Sequence, residues 1–154
     1  MIKSEPILFL KAVPVSVIIN LRHRVLRADK PIATASFGGD SLPSTFHFAA
    51  FLREEDTEPV CCVTYNESTW EGEKAFQLRG MATDPEHQNL GIAAALLSFT
   101  EKTLYKQTKV RHFWCDARVS AVGFYKKQGW IVISDKFMID GVGSHYKMLM
   151  VLPV

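Results

Sequence analysis

Residues 83–97, "TDPEHQNLGIAAALL", join a strand-like run to an alanine-rich apolar helix through a polar turn with one glycine at the junction. Glycine there weakens the helix by about 1 kcal/mol relative to alanine, so Gly91 asks for a use of bare backbone. An anion supplies one. The first turn of a helix leaves its N–H groups unpaired, and the aligned peptide dipoles add roughly half a positive charge. Phosphate is the common cellular anion that uses both. Two other phosphate loops do not match. The dinucleotide fingerprint needs several spaced glycines, and this turn has only Gly91; the mononucleotide loop needs Gly-Lys-Ser/Thr, which is missing.

Such a turn needs a sheet and helices to hold it, and 154 residues suffice for one domain with its own core, spanning 1–154. Hydrophobic residues make up 47%, a globular composition, and no run approaches the roughly 20 apolar residues of a membrane span. A net charge of +2 with scattered basic residues gives no nucleic-acid signature. The local cluster Arg22, Arg24, Arg27 and Lys30 reads as a solvated helix face. Cys61, Cys62 and Cys115 read as buried, reduced thiols, and with no signal-peptide pattern the expected location is cytoplasmic. No two histidines share metal-ligand spacing on a helix, so no metal site is expected.

Along the chain, residues 6–10 predict a first strand. Val17, Ile18, Leu21 and Val25 at helical spacing predict a helix over 15–27. Residues 28–44 form a long loop rich in Gly, Pro, Ser and Ala, a kind of segment that is often functional. Strands follow at 45–52, 59–67 and 75–83, with "EEDTEP" and "STWEGEK" as turns. On the last of these, Phe76, Leu78, Gly80 and Ala82 share one face, and Gln77, Arg79, Met81 and Thr83 share the other. The helix after Gly91 presents Ala93, Leu96, Leu97, Thr100 and Leu104 as one stripe. A strand at 111–117, a short helix over 119–129 and two strands, 130–139 and 144–152, complete the order β-α-loop-β-β-β-α-β-α-β-β. This predicts an α/β fold with a mixed, mostly antiparallel central sheet flanked by helices.

Gln88-Asn89-Leu90-Gly91-Ile92-Ala93 follows a strand and opens a helix, and it resembles the Q/R-x-x-G-x-G/A signature of the GNAT superfamily of acetyl-coenzyme A-dependent N-acyltransferases. A second stretch, "CDARVSAVGFYKKQGW", is similar to another landmark of that family, with Ala121, Phe124, Tyr125, Lys127, Gly129 and Trp130 at the matching positions. The resemblance covers roughly residues 45–150. It implies the acyl-CoA N-acyltransferase fold, acetyl-CoA as cosubstrate and no metal. It further implies that backbone N–H groups of Gln88, Asn89, Leu90, Gly91, Ile92 and Ala93 cradle the pyrophosphate. The main chain of Met81, Ala82 and Thr83 would pair with the pantetheine arm, Phe124 would border the coenzyme, and Tyr125 would be the general acid. Two positions depart from the pattern. Asn89 and Leu90 stand where many members have glycine or arginine, so an arginine–phosphate contact is lost. Arg118 stands where many have asparagine, and could instead reach a phosphate or an acidic group.

Acetyl transfer from a thioester to an amine needs a neutral amine, a polarised carbonyl oxygen and a proton for the departing thiolate. From reference pKa values of about 10 for tyrosine and 8.5 for a thiol, proton delivery by Tyr125 is uphill by about 2 kcal/mol. The N–H of Met81 or Ala82 could meet the oxyanion. The base is open among His47, His145, Asp116 and a water, because "QLRGMAT" holds no carboxylate. If the face of Arg79 borders the acceptor pocket, it favours an acceptor carrying a carboxylate. The expected function is transfer of an acetyl group to a primary amine of a small molecule or amino acid. Protein or peptide N-acetylation is one alternative, and a non-catalytic acyl-CoA-binding regulatory module of the same fold is another. A small-molecule amine is the expected partner, with no nucleic acid and no membrane, and the resemblance leaves a homodimer open.

Overall fold

The computed structural model describes residues 7–154. Four apolar runs give the first four strands, β1 (Phe9–Ala12), β2 (Phe46–Phe51), β3 (Cys61–Trp70) and β4 (Glu73–Thr83), each antiparallel to the next. Helix α1 (Val15–Leu26) lies between β1 and β2 in the chain, followed by a loop with a 3-10 turn at Ile32–Ala35. Helix α2 (Ile92–Thr108) carries the chain from β4 to β5 (His112–Arg118), which therefore runs parallel to β4. Helix α3 (Val122–Lys127), β6 (Ile131–Val132), β7 (Phe137–Ile139) and β8 (Gly143–Val151) complete the chain. The sheet order is β1-β2-β3-β4-β5-β8-β6, with β7 also paired to β8.

The mixed, mostly antiparallel sheet agrees with the sequence pattern, but three boundaries differ. β1 begins at Phe9, later than expected, and residue 6 of the expected strand lies outside the described residues. "STWEGEK" is not a turn: Ser68, Thr69 and Trp70 continue β3, Glu73 and Lys74 begin β4, and only Glu71-Gly72, both at positive φ, reverse the chain. The expected strand 130–139 is two short strands. Its polar middle breaks the ladder, where the Lys147 N–H bonds the Ser134 Oγ at 2.8 Å.

Each face of the sheet buries its own cluster. On one, Ile18 and Leu21 of α1 meet Ala49, Phe51, Cys62 and Ala82. On the other, Leu96, Leu97 and Leu104 of α2 and Tyr125 of α3 meet Phe48, Tyr65, Phe76 and Phe113. Each such apolar side chain contributes roughly 1.5–3 kcal/mol by leaving water.

The expected single face of Phe76, Leu78, Gly80 and Ala82 is corrected here. Pairing shifts between Cys62↔Ala82 and Thr64↔Arg79, so β4 holds one residue more than β3 across this stretch. This is a β-bulge at Gly80, whose φ of +60° suits glycine. A side chain at Gly80 would also collide, since its Cβ would lie 2.9 Å from the Arg22 Nε and 2.9 Å from the Phe37 ring. The extra residue exchanges the faces beyond it. Phe76 and Leu78 point toward α2, whereas Ala82 joins the α1 cluster and Met81 packs with the α2 and α3 side. Arg79 and Met81 therefore lie on opposite faces.

Candidate active site

Strands β4 and β5 pair only at Ala75↔His112, Phe76↔Phe113 and Gln77↔Trp114. Beyond Trp114 they part, and β4 continues to Thr83 with no strand on that edge among the described residues. A cleft of about 950 Å³ opens in the gap. It reaches from the Gly91 turn on one side to Phe37 and Arg79 on the other.

The turn is built to present main chain. Asn89 (φ +62°) and Gly91 (φ +81°) are both left-handed, a conformation for which asparagine is the best tolerated residue after glycine. This gives Asn89 a physical reason to stand where the family pattern differs. Gly91 precedes the first residue of α2, and no side chain caps that end of the helix. The early N–H groups of α2 therefore face outward without a side-chain partner. A Cβ built on Gly91 meets nothing within 4 Å, so the space over these groups is open. The turn is fixed from behind. Asp84 accepts hydrogen bonds from Arg24 and from the His87 Nδ1, the latter at 2.6 Å, and both hold its carboxyl below the usual carboxylate range. Gln88 donates its side-chain amide to the Thr83 carbonyl at 3.2 Å. These features fit a pyrophosphate, which needs N–H donors and room at one place.

Met81, Ala82, Thr83, Gln88, Asn89, Gly91, Ile92, Ala93, Phe124 and Tyr125 all line this cleft. Leu90 does not; its side chain is 55% exposed and turned to solvent. Tyr125 is buried, and among the described residues its hydroxyl donates only to the Met81 Sδ at 3.8 Å. A thioether is a weak acceptor, so this buried hydroxyl is poorly satisfied. Burial, with smaller contributions from Cys115 and Tyr65, raises its pKa well above 10. The group stays protonated as a donor, and delivering its proton is more uphill than reference values suggest.

The base candidates separate cleanly. His47 does not line the cleft. Its Nε2 donates to the Asp40 carbonyl at 2.9 Å, and its Nδ1 meets the Thr64 hydroxyl at 2.8 Å. Both nitrogens are engaged. Asp116 lines the cleft but is held by the Lys147 ammonium at 2.7 Å. His145 also lines it, stacks on Phe137 and is nearly buried. Its Nδ1 lies 2.8 Å from the Gly143 carbonyl, which can only accept, so Nδ1 carries the proton and Nε2 the lone pair. Nε2 has no hydrogen-bond partner among the described residues.

The basic cluster on α1 is not a solvated face. Arg22 is fully buried and bonds the Asp40 carboxylate, the Ala35 carbonyl and the Thr64 hydroxyl at 2.7, 2.8 and 2.6 Å. Arg24 holds Asp84, Lys30 donates to the Gly141 carbonyl at 3.1 Å, and Arg27 lines the cleft. The available signal was position: Arg22 adjoins Leu21 and follows Ile18 by one turn, inside the apolar stripe. The cysteines are free and buried, as expected, and burial pushes Cys61 up to about 11 and Cys62 to about 12. Neither offers a thiolate near neutral pH.

Residues 44–152 match the family model described as an acetyltransferase (GNAT) domain. The chain is 28% identical over 138 residues to the uncharacterized N-acetyltransferase YitI of Bacillus subtilis, covering 90% of this chain and 92% of that one. Among solved structures, ElaA of Escherichia coli superposes with a TM-score of 0.76 at 16% identity, covering 94% of this chain and 99% of the other. An aminoglycoside 6'-N-acetyltransferase complexed with coenzyme A superposes at 0.73 with 11% identity, covering 95% and 98%.

Proposed function

This chain belongs to the GNAT acetyltransferase family, and from that premise we propose that it moves an acetyl group from acetyl-CoA to a primary amine of a small molecule or amino acid. It is an N-acetyltransferase; the coenzyme, the acceptor class and the residue roles are our reading. The observation that carries this reading is the gap between β4 and β5, with a poorly satisfied tyrosine hydroxyl inside it and a glycine-led helix start at its mouth. Acetyl-CoA would supply an acetyl group activated as a thioester.

The chain's own residues then have distinct tasks. The first N–H groups of α2, with Gly91 keeping the approach open, would hold the pyrophosphate. The unpaired edge of β4 at Met81, Ala82 and Thr83 would bind the pantetheine arm through main-chain hydrogen bonds. A main-chain N–H of Met81 or Ala82 would stabilise the oxyanion. The His145 Nε2 would take the proton from the acceptor ammonium, directly or through a water. Tyr125 would protonate the departing sulfur, exchanging a weak thioether contact for a strong one.

The test combines calorimetric titration of acetyl-CoA with coenzyme release measured against a panel of amines. We expect one coenzyme site and acceptor-dependent release. Tyr125→Phe should lower kcat by about 100-fold, within the usual range for a general acid, while coenzyme affinity stays within about twofold. Binding without release from any amine would favour a non-catalytic module, and absence of binding would overturn both.

A further inference from the structure

The cleft carries a set of positive charges that the acetyl-transfer chemistry itself does not use. Arg27 follows the last residue of α1, Arg79 lies on β4 and Arg118 ends β5, so three separate elements bring guanidinium groups to one space. Among the described residues, none of the three lies within 4.0 Å of a carboxylate oxygen, whereas Arg22, Arg24 and Arg53 all do. Their neutral partners are few. Arg79 donates to the Gly38 carbonyl at 3.2 Å and Arg27 to the Leu26 carbonyl at 3.3 Å. Asp116 is the one carboxylate lining the cleft among the described residues, and Lys147 already neutralises it.

Phe37 gathers two of these charges, Arg79 and Arg27, together with Arg22. Its ring centroid lies 4.0 Å from the Arg22 guanidinium carbon, 4.8 Å from that of Arg79 and 5.8 Å from that of Arg27. Burial, and then the like charges of Arg22 and Arg27 against the pull of Asp40, hold Arg79 below the ordinary arginine range. Burial and Arg27 do the same to Arg118. Arginine does not release its proton in a protein, so the repulsion persists until an anion relieves it. The bulge at Gly80 puts Arg79 on the α1 face, opposite the Gly91 turn and α2. The cations therefore stand across the sheet from the phosphate cradle.

We propose that the acceptor is a primary amine whose other end carries a carboxylate or phosphate, bound by Arg27, Arg79 and Arg118 so that the amine meets the gap beside Met81. This rests on the acetyl-transfer reading of the same cleft. Guanidinium groups suit either anion, because their paired N–H donors match its two oxygens. The α1-face position makes the set an acceptor clamp rather than a second phosphate cradle.

The experiment has two arms, both with the full chain. In the first, coenzyme release is compared between amines matched except for the anionic group: 4-aminobutyrate against n-butylamine, and glucosamine 6-phosphate against glucosamine. We expect kcat/KM at least 10-fold higher for one or both anionic members, and which pair responds separates carboxylate from phosphate. Arg79→Ala and Arg118→Ala should raise KM for that acceptor by 10- to 100-fold while the acetyl-CoA dissociation constant moves less than twofold. In the second arm, glutarate and inorganic phosphate, which carry no amine, are titrated calorimetrically into the protein without turnover. Wild type should bind one of them at least fivefold more tightly than Arg79→Ala, with the difference shrinking as salt rises. Preference for the amines without the anionic group, or loss of acetyl-CoA affinity in the arginine variants, would overturn the proposal while leaving acetyl transfer intact. If no amine is acetylated, the proposed activity fails; the second arm then decides the anion site by itself, and equal binding by wild type and variant would overturn it.

Discussion

His47 and His145 are both strand histidines, 7% and 3% exposed, yet they sit in regions of opposite character. His47 belongs to a network beneath α1 with Arg22, Asp40 and Thr64, where almost every donor has an acceptor within 2.9 Å. The exception is the Arg22 Nε, packed over Gly80. His145 faces a cleft in which the polar groups are short of partners. Among the described residues its Nε2 has no partner, the Tyr125 hydroxyl has only a thioether, and Arg79 and Arg118 have no carboxylate within 4.0 Å. Residue type does not separate the two regions; satisfaction does. A saturated buried group holds a structure together, while an unsatisfied one beside a cleft is waiting for something to bind.

The contrast can be broken most forcefully at Asp40. Asp40→Ala should strand the Arg22 charge and destabilise the fold by about 3–5 kcal/mol in urea unfolding, because a buried cation without its partner is costly. Little change would mean that the network is not structural. Glu101 tests whether a shortage of partners alone marks function. It is buried on α2 away from the cleft lining, and its one hydrogen bond among the described residues comes from the Trp130 indole at 3.1 Å. Burial raises its carboxyl from 4.5 to about 7. The unfolded chain therefore loses this proton at a lower pH than the folded one, and the associated stability, present below 4.5, is lost as pH rises through about 7. Glu101→Gln should be more stable than wild type by on the order of 2 kcal/mol at pH 8 and close to it at pH 4.5, read from paired unfolding curves. Its kcat should not move.

The two histidines can then be exchanged for glutamine in turn. His145→Gln should lower kcat by about 10- to 50-fold and leave stability nearly unchanged. His47→Gln should instead cost about 1–2 kcal/mol of stability with kcat largely kept. Reversed outcomes would invert the assignment. The smallest effect is expected at Gly91→Ala. Its left-handed φ of +81° should cost about 1 kcal/mol of stability, with a several-fold weakening of acetyl-CoA binding as Cβ enters the open space. Stability lost with affinity unchanged would place the pyrophosphate elsewhere.

What the sequence revealed follows the range of each interaction. The Gly91 turn and the α2 stripe are local, so spacing alone exposed them. The pairing of His145 with the gap, and the gathering of Arg27, Arg79 and Arg118, depend on a loop and a hairpin that meet only in three dimensions. Lys30 bonding the Gly141 carbonyl is one such meeting, across 111 residues. Arg22 sits in the apolar stripe beside Leu21, and its charge masks that place in the sequence pattern. Strict alternation along β4 failed at Gly80, where a glycine inside a strand was the available warning. The strands β6 and β7 look like one in the sequence because apolar residues flank the short break at Ser134-Asp135-Lys136.

The bulge at Gly80 has a consequence for how this chain can change over generations. It divides one strand into two segments whose odd-numbered residues face opposite ways, Arg79 toward α1 and Met81 toward α2 and α3. Substitutions two positions apart are thereby uncoupled. A lineage can alter the α1-facing surface at Arg79 without disturbing the strand edge beyond it, provided the glycine between them is inherited unchanged.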